Sequence, residues 1–454
     1  MRRSVCSSLV IAAIAAPHFA GAQGACTTDG LKLPAGFCAT IFADSLPGVR
    51  SIAVAPNGDL FVAMQNARTG GVMALRDAAK AGKADRREKF ASGFGSSQVA
   101  LFDNHLYVEM IAAPPARPAR GTANAAPPPP PAPPGTTTIV RYALKAGELT
   151  PAGAPDTIIQ DIPAYPGHST RNFAIAPDGS MYLNIGSPTN ACQPLAQDRA
   201  PTTPPGENPC VQLDTRAGVW KFDARKMHQS PNASNHFAKG IRNAVGIAVH
   251  PGDNKLWTTQ HGRDQLYDWH TKLGLDSAAA QKYNAENPAE ELLQANQGDD
   301  FGWPYCYFAV EQKHLVLAPE YGGNGKEVGQ CAQKKEPVAT FPGHWAPNAL
   351  MFYTGSQFPA KYRNGAFIAF HGSWNRAPEP QGGFNVVFQP LDAAGKSAGR
   401  YEVFADDFAP NVGTGRASAA SGAHRPTGLA TGADGSLYVA DDAGGRIYRI
   451  YFKK

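Results

Sequence analysis

Six times along this chain a short apolar strand meets a tight turn and a second apolar strand, and this repeat restricts the fold more than any other feature. Four copies are clear: Ser51–Ala63, Asn172–Gly186, Asn243–Thr259 and Pro426–Asp442. Two weaker ones, Gln98–Met110 and Asn348–Gly372, complete the set. The turns Asn57-Gly58, Asp178-Gly179 and Asp434-Gly435 are hairpin signals, because glycine accepts the positive φ such turns require. A β-sandwich needs fewer strands and gives no such repeat. Radial repetition lets each small sheet bury its faces against its neighbours, and closing the ring protects the edge strands. The expectation is an all-β chain folded as a six-bladed β-propeller over residues 23–454.

The first residues carry a different pattern. Arg2 and Arg3 form a basic start, Leu9–Ala16 a short apolar stretch, and Ala20-Gly21-Ala22 a small-residue cleavage site. Residues 1–22 therefore read as a signal peptide, which puts the mature protein in the periplasm or outside the cell. No later stretch is apolar for long enough to span a membrane. Removing two arginines and no acid lowers the formal charge from +5 to +3, too little for a nucleic-acid footprint. Six cysteines remain, and pairing sequence neighbours gives Cys26–Cys38, Cys192–Cys210 and Cys306–Cys331, as an oxidising compartment permits. A lipid anchor on Cys26 is the rival reading for that residue. None of the cysteines has CxxC or CxxCH spacing, so neither a zinc ribbon nor an attached c-type haem is expected.

The spacing between copies is uneven. Residues 113–135 contain five consecutive prolines and read as a surface insertion that interrupts one blade, since strand-like residues resume at Thr136. The longest gap separates Asn243 from Asn348. It includes a helical-looking stretch, Ala278–Ala295, placed to cover one face.

Just before each inner strand stands a polar residue: Arg50, Gln98, Arg171-Asn172, Arg242-Asn243, Asn348 and Arg425. Equivalent positions in successive blades surround the central channel at one height. Several arginines converging there repel one another unless an anionic ligand sits between them. The alternative is that each bonds carbonyls at its own blade end. Three histidines stand at the same level: His168, His261 and His371. No HxH or HExxH spacing points to a zinc site.

Seven segments carry a family resemblance: 167–187, 240–251, 260–266, 299–307, 352–363, 369–376 and 425–442. The most specific are Gly167-His168-Ser169-Thr170-Arg171-Asn172, Phe301-Gly302-Trp303-Pro304-Tyr305-Cys306 and His371-Gly372-Ser373-Trp374-Asn375-Arg376. Through them the chain resembles the pyrroloquinoline quinone (PQQ)-dependent sugar dehydrogenases, in particular the sorbosone dehydrogenase-like branch of the soluble glucose dehydrogenase superfamily. The resemblance implies a PQQ- and Ca²⁺-dependent oxidoreductase acting on the alcohol or hydrated aldehyde of a sugar-like substrate. With no haem attached, electrons would pass to a separate acceptor.

The resemblance also assigns roles. His168 matches the general base, and Arg242 with Asn243 the pair beside the quinone carbonyls. Arg376 and Arg425 match carboxylate holders; Gln98 and His261, from the ring at the channel mouth, and Trp345 are expected to complete the cofactor set. The backbone carbonyls of Gly262 and Arg263 match those that complete a Ca²⁺ site. Trp345 and Trp374 offer either a stacking wall or buried packing. Two positions depart from the glucose-oxidising pattern: Gly167 and Ser187 stand where it has acids. A metal-dependent propeller hydrolase, akin to a lactonase, and a non-catalytic binding propeller are the competing readings; the first would need carboxylates converging on the channel.

Overall fold

The computed structural model describes residues 26–112, 135–164, 168–410, 412–413 and 424–453. The expected signal peptide, nearly all of the proline-rich insertion, and Gly167 lie outside those residues.

Six four-stranded antiparallel sheets form a six-bladed β-propeller. The innermost strands of blades one to six are Val49–Val54, Val99–Phe102, Phe173–Ile175, Ile247–Val249, Pro347–Phe352 and Pro426–Thr431. Each begins at one of the repeats expected from the sequence. Gly58, Gly179 and Gly435 have φ of 92°, 91° and 82°, the region those hairpin turns demand. The last blade is closed by the beginning of the described chain: Phe37–Ala43 pairs with Arg446–Phe452 as its outer strand. Ring closure thus removes the free edge that an open sheet would present.

The core lies between blades rather than inside any one of them. Phe61, Phe90, Leu106 and Val108 join blades one and two in one buried cluster. Met181, Trp220, Ile158 and Ile162 join blades two and three. Leu60, Phe42 and Tyr438 weld the sixth blade to the first. Each fully buried Leu, Ile or Phe contributes about 1.5–3 kcal/mol. A blade alone would expose these faces, so the ring stands or falls as a unit. Three disulfides pair the sequence-adjacent cysteines: Cys26–Cys38, Cys192–Cys210 and Cys306–Cys331. Among the described residues no helix is long and apolar enough to cross a membrane.

The helical stretch expected over Ala278–Ala295 is only half helix. The helix runs Ser277–Glu286, capped by the Asp276 side chain on the Ala279 N–H. Asn287-Pro288 follows, and proline has no N–H to continue the ladder. Glu290–Ala295 is instead the third strand of blade four, paired with Leu256–Gln260 on one side and Ala339–Phe341 on the other. Its alanine- and glutamate-rich sequence favours a helix locally, but burial between two strands overrides that preference.

Candidate active site

A cavity of about 400 Å³ opens at the end of the channel where the inner strands begin. That volume falls within the range of small-molecule sites. Its wall brings together eight of the residues singled out above: His168, Arg242, Asn243, His261, Gly262, Arg50, Asn348 and Trp374. They come from different blades, placed at one height by the repeat.

His168 Nδ1 lies 2.7 Å from the Ser187 carbonyl. A carbonyl only accepts, so Nδ1 carries the proton and Nε2 is the basic nitrogen. Burial, then the neighbouring Arg242, hold the imidazole well below its ordinary pKa against the pull of the Ser187 carbonyl. His168 is thus a neutral, oriented base at neutral pH. The side chain at position 187 matters less than its main chain: Ser187 orients the ring through its backbone. Gly186 allows the approach, because a Cβ there would stand 2.8 Å from both His168 Cβ and Asn243 Oδ1.

Arg242 is buried, and burial brings its pKa down to about 10 although Asp264 opposes the shift. Its Nη2 reaches Asp264 Oδ2 at 3.1 Å, and its Nη1 donates to the Gly262 carbonyl at 2.9 Å. Burial acts to raise the Asp264 pKa, but Arg242, Arg199 and His344 outweigh it and keep the carboxylate ionised. Glu290 accepts the N–H groups of Gly262 and Ala346, tying two loops of the rim together. Burial pushes its pKa up to about 7 against those two donors. His261 rests on the Pro347 carbonyl at 3.1 Å, and burial lowers its pKa to about 3, so it is uncharged. Three guanidinium groups, Arg50, Arg199 and Arg242, line the cavity, and each has an acid beside it: Asp442 for Arg50, Asp198 and Asp264 for Arg199, and Asp264 for Arg242.

Other expected residues stand elsewhere. Arg376 turns away from the cavity and holds the end of the Ser277–Glu286 helix, donating to the Ala285, Gly343 and Pro380 carbonyls and pairing with Glu286. Arg425 donates to the carbonyls of His371 and Gly372. Arg171, fully buried, clamps the Pro163, His168 and Thr170 carbonyls. For Arg171 and Arg425 the alternative realised is that each bonds nearby carbonyls. Gln98 lines a lower chamber of the channel, bonded to Phe173 O and Asn172. Trp345 packs on Phe370 and Tyr401. The Arg263 side chain pairs with buried Glu320. His371 bonds Asp442, which also holds Arg50 at 2.8 Å.

Arg199, Asp264, Glu290, His344 and Asn375 belong to the wall but were not singled out from sequence. Asp264 and Asn375 lay inside the quoted motifs. Arg199 lies within the Cys192–Cys210 loop, where no repeat register applies.

A family model described as TrAA12-like matches residues 135–453. This chain belongs to that family. Among curated relatives, a PQQ-dependent pyranose dehydrogenase of Coprinopsis cinerea is 27% identical over 299 residues, 59% of this chain and 37% of that protein. An aldose sugar dehydrogenase of Escherichia coli is 23% identical over 222 residues, 49% of this chain and 51% of that one. The chain spans between about a third and a half of the length of these relatives. The fold of this TrAA12-like chain is shared with solved structures. A Trichoderma reesei carbohydrate-active enzyme of family AA12 superposes with a TM-score of 0.69 at 17% identity, over 94% of this chain and 98% of that one. The holo PQQ domain of the Coprinopsis pyranose dehydrogenase gives 0.67 at 18% identity, over 93% and 97%.

PQQ, a planar tricarboxylate ortho-quinone, suits this donor set: three guanidinium groups for carboxylates in a cavity of ligand size. For Ca²⁺ the protein offers less. Ca²⁺ takes about 6–8 oxygens, and Gly262 O already accepts from Arg242. Among the described residues no group of three or more His, Cys, Asp or Glu is placed to hold a metal.

Proposed function

We propose that this protein is an exported PQQ-dependent dehydrogenase that oxidises an alcohol or hydrated aldehyde group of a sugar-like substrate and passes electrons to a separate acceptor. The observation that carries the reading is the juxtaposition of an oriented, neutral His168 with the Arg50, Arg199 and Arg242 cluster across one cavity. The names of the relatives and the three disulfides agree with it.

When bound, PQQ would supply the hydride acceptor. Arg50, Arg199 and Arg242 would hold its carboxylates, with Asn243 beside the quinone. His168 Nε2 takes the substrate hydroxyl proton, while the Ser187 carbonyl holds Nδ1–H and steadies the imidazolium that forms. Glu290 fixes the rim on which the substrate rests. Calcium belongs to this proposal only with the cofactor's own oxygens completing its shell; Gly262 O and Arg263 O would contribute two ligands, and Arg242 would swing from Gly262 O to admit the cation. Ca²⁺ bound there would act as a Lewis acid.

The test is titration of chelator-treated protein with PQQ, with and without Ca²⁺, following quinone absorbance and dye reduction over an aldose panel. Binding with turnover is expected. His168→Gln should keep cofactor binding and lose roughly 10²–10⁴-fold in kcat, the usual contribution of a positioned base. Absence of PQQ binding would overturn the proposal, and full activity in His168→Gln would remove His168 as base.

A further inference from the structure

Which end of its amide Asn243 shows to the cavity is decided by a residue that does not line it. Asn184 stands near the end of the second strand of blade three, Ser180–Ile185, and is fully buried. Its Oδ1 lies 3.0 Å from the Ala244 backbone nitrogen, and its Nδ2 lies 3.1 Å from Asn243 Oδ1. A backbone N–H only donates, so the Asn184 atom facing Ala244 is the oxygen and the other end of that amide is the NH2 group. An NH2 group also only donates, so the Asn243 atom facing it is the oxygen.

The backbone around Asn243 is held as firmly. The Asn243 carbonyl accepts from the His261 N–H at 3.1 Å, and the Arg242 N–H donates to Gln260 Oε1 at 2.9 Å. The amide therefore cannot settle its orientation by shifting the chain. Turned the other way, it would bring two NH2 groups together beside Asn184 and show an acceptor to the cavity.

What remains is Asn243 Nδ2. Among the described residues it has no acceptor, and it is not one of the side-chain atoms sealed away from solvent, so on this lining residue it opens onto the cavity. A donor aimed in a fixed direction at a ligand cavity is preorganised for an oxygen of the ligand.

We propose that Asn184 is a positioning residue that locks the Asn243 amide with its NH2 group toward the cavity, as a donor to a carbonyl oxygen of the bound quinone. The inference rests on the PQQ reading for the central cavity, but the lock itself belongs to the cofactor-free protein. Asn184 acts only through Asn243.

A double-mutant cycle tests that dependence. PQQ affinity is measured by quinone absorbance for wild type, Asn184→Leu, Asn243→Ala and the pair. Each single variant should lose about tenfold, the worth of one directed hydrogen bond, and the pair about the same tenfold rather than a hundredfold. Losses that multiply, or wild-type affinity in Asn184→Leu, overturn the lock. Where Asn184→Leu does not fold, Asn184→Asp carries the cycle, since it keeps the size and the acceptor for the Ala244 N–H. Its ionised carboxylate draws the Asn243 NH2 group inward, so PQQ affinity should again fall about tenfold, and this loss should vanish in the Asn243→Ala background.

A second readout needs no cofactor. The side-chain amide protons of Asn243 are identified in ¹⁵N-asparagine-labelled protein by the signal missing from Asn243→Ala. They should exchange with solvent in wild type and become protected in Asn184→Asp. Protection already in wild type overturns the lock even where PQQ binds. Absence of PQQ binding to wild type overturns the dehydrogenase reading, and the amide exchange then judges the lock alone.

Discussion

Arg171 offers the sharpest test of how the base is held. Its guanidinium is fully buried and donates through Nε to Pro163 O at 2.9 Å, through Nη1 to Thr170 O at 3.0 Å, and to His168 O. It therefore ties both ends of the segment that carries His168. Arg171→Met strips the charged donor from three half-buried carbonyls, a loss of about 1–3 kcal/mol each. The guanidinium itself is held at a cost, since burial brings its pKa from 12.5 to about 10, which corresponds to about 3 kcal/mol against the charged form. The difference leaves a destabilisation between about 0 and 6 kcal/mol, a range that includes the cost of breaking a buried charged cluster. Freed from Arg171, the His168 backbone shifts, and a displacement of about 1 Å in a base costs on the order of 10²-fold in rate. The assay pairs thermal unfolding with steady-state kinetics and PQQ titration. The expected signature is a lower melting temperature and a fall in kcat with PQQ affinity retained, because Arg171 does not face the cavity. Arg171→Lys, which keeps the charge but cannot span three carbonyls, should recover stability only in part. A variant with wild-type kcat, or one that loses PQQ binding instead, would refute the clamp.

The acid limb of kcat/KM should lie well below pH 6.5, because a base held below its ordinary pKa stays unprotonated as pH falls; a pH–rate profile with its limb at or above 6.5 would contradict the environment of His168. Arg376→Ala should lower the melting temperature by releasing Ala285 O, Gly343 O and Glu286, yet leave PQQ affinity within about twofold by equilibrium titration. Replacing Cys306 and Cys331 by serine opens a loop of 25-residue separation, for which chain entropy gives about 3.5 kcal/mol of lost stability, read by denaturant unfolding.

The fold was legible because its signal is repeated. Six hairpins, three of them with turn glycines at matching places, specify blades, and the inner strands fall where the copies begin. His168, Arg242, Asn243 and His261 were legible for the same reason: the repeat states where each backbone stands around the channel, while Gly262 came from the family resemblance. Arg199, His344 and Asn375 were not, because they sit on long connections that carry no register. Glu290 was hidden by a different conflict. Its surrounding sequence favours a helix, while its burial belongs to a strand.

Direction, unlike position, is a local contest. An arginine at a blade end can reach into the cavity or fold back onto carbonyls left unpaired where the strands stop. Arg171 and Arg425 fold back onto the carbonyls of Thr170, His371 and Gly372. The three that stay in the cavity each have a carboxylate there to hold them: Asp442 for Arg50, and Asp264 for both Arg199 and Arg242. A carboxylate partner offsets the desolvation of the guanidinium and leaves some of its N–H groups free. An acid at the rim helps hold an arginine in the cavity, whereas Glu320 for Arg263 and Glu286 for Arg376 hold those side chains elsewhere. Asp264, three residues after His261, and Asp442, at the end of the last repeat, are the rim acids, and both are ionised at neutral pH in their places. Arg376 shows the contrast. Its acid, Glu286, stands at the end of the covering helix, so the guanidinium is drawn to that helix rather than to the cavity.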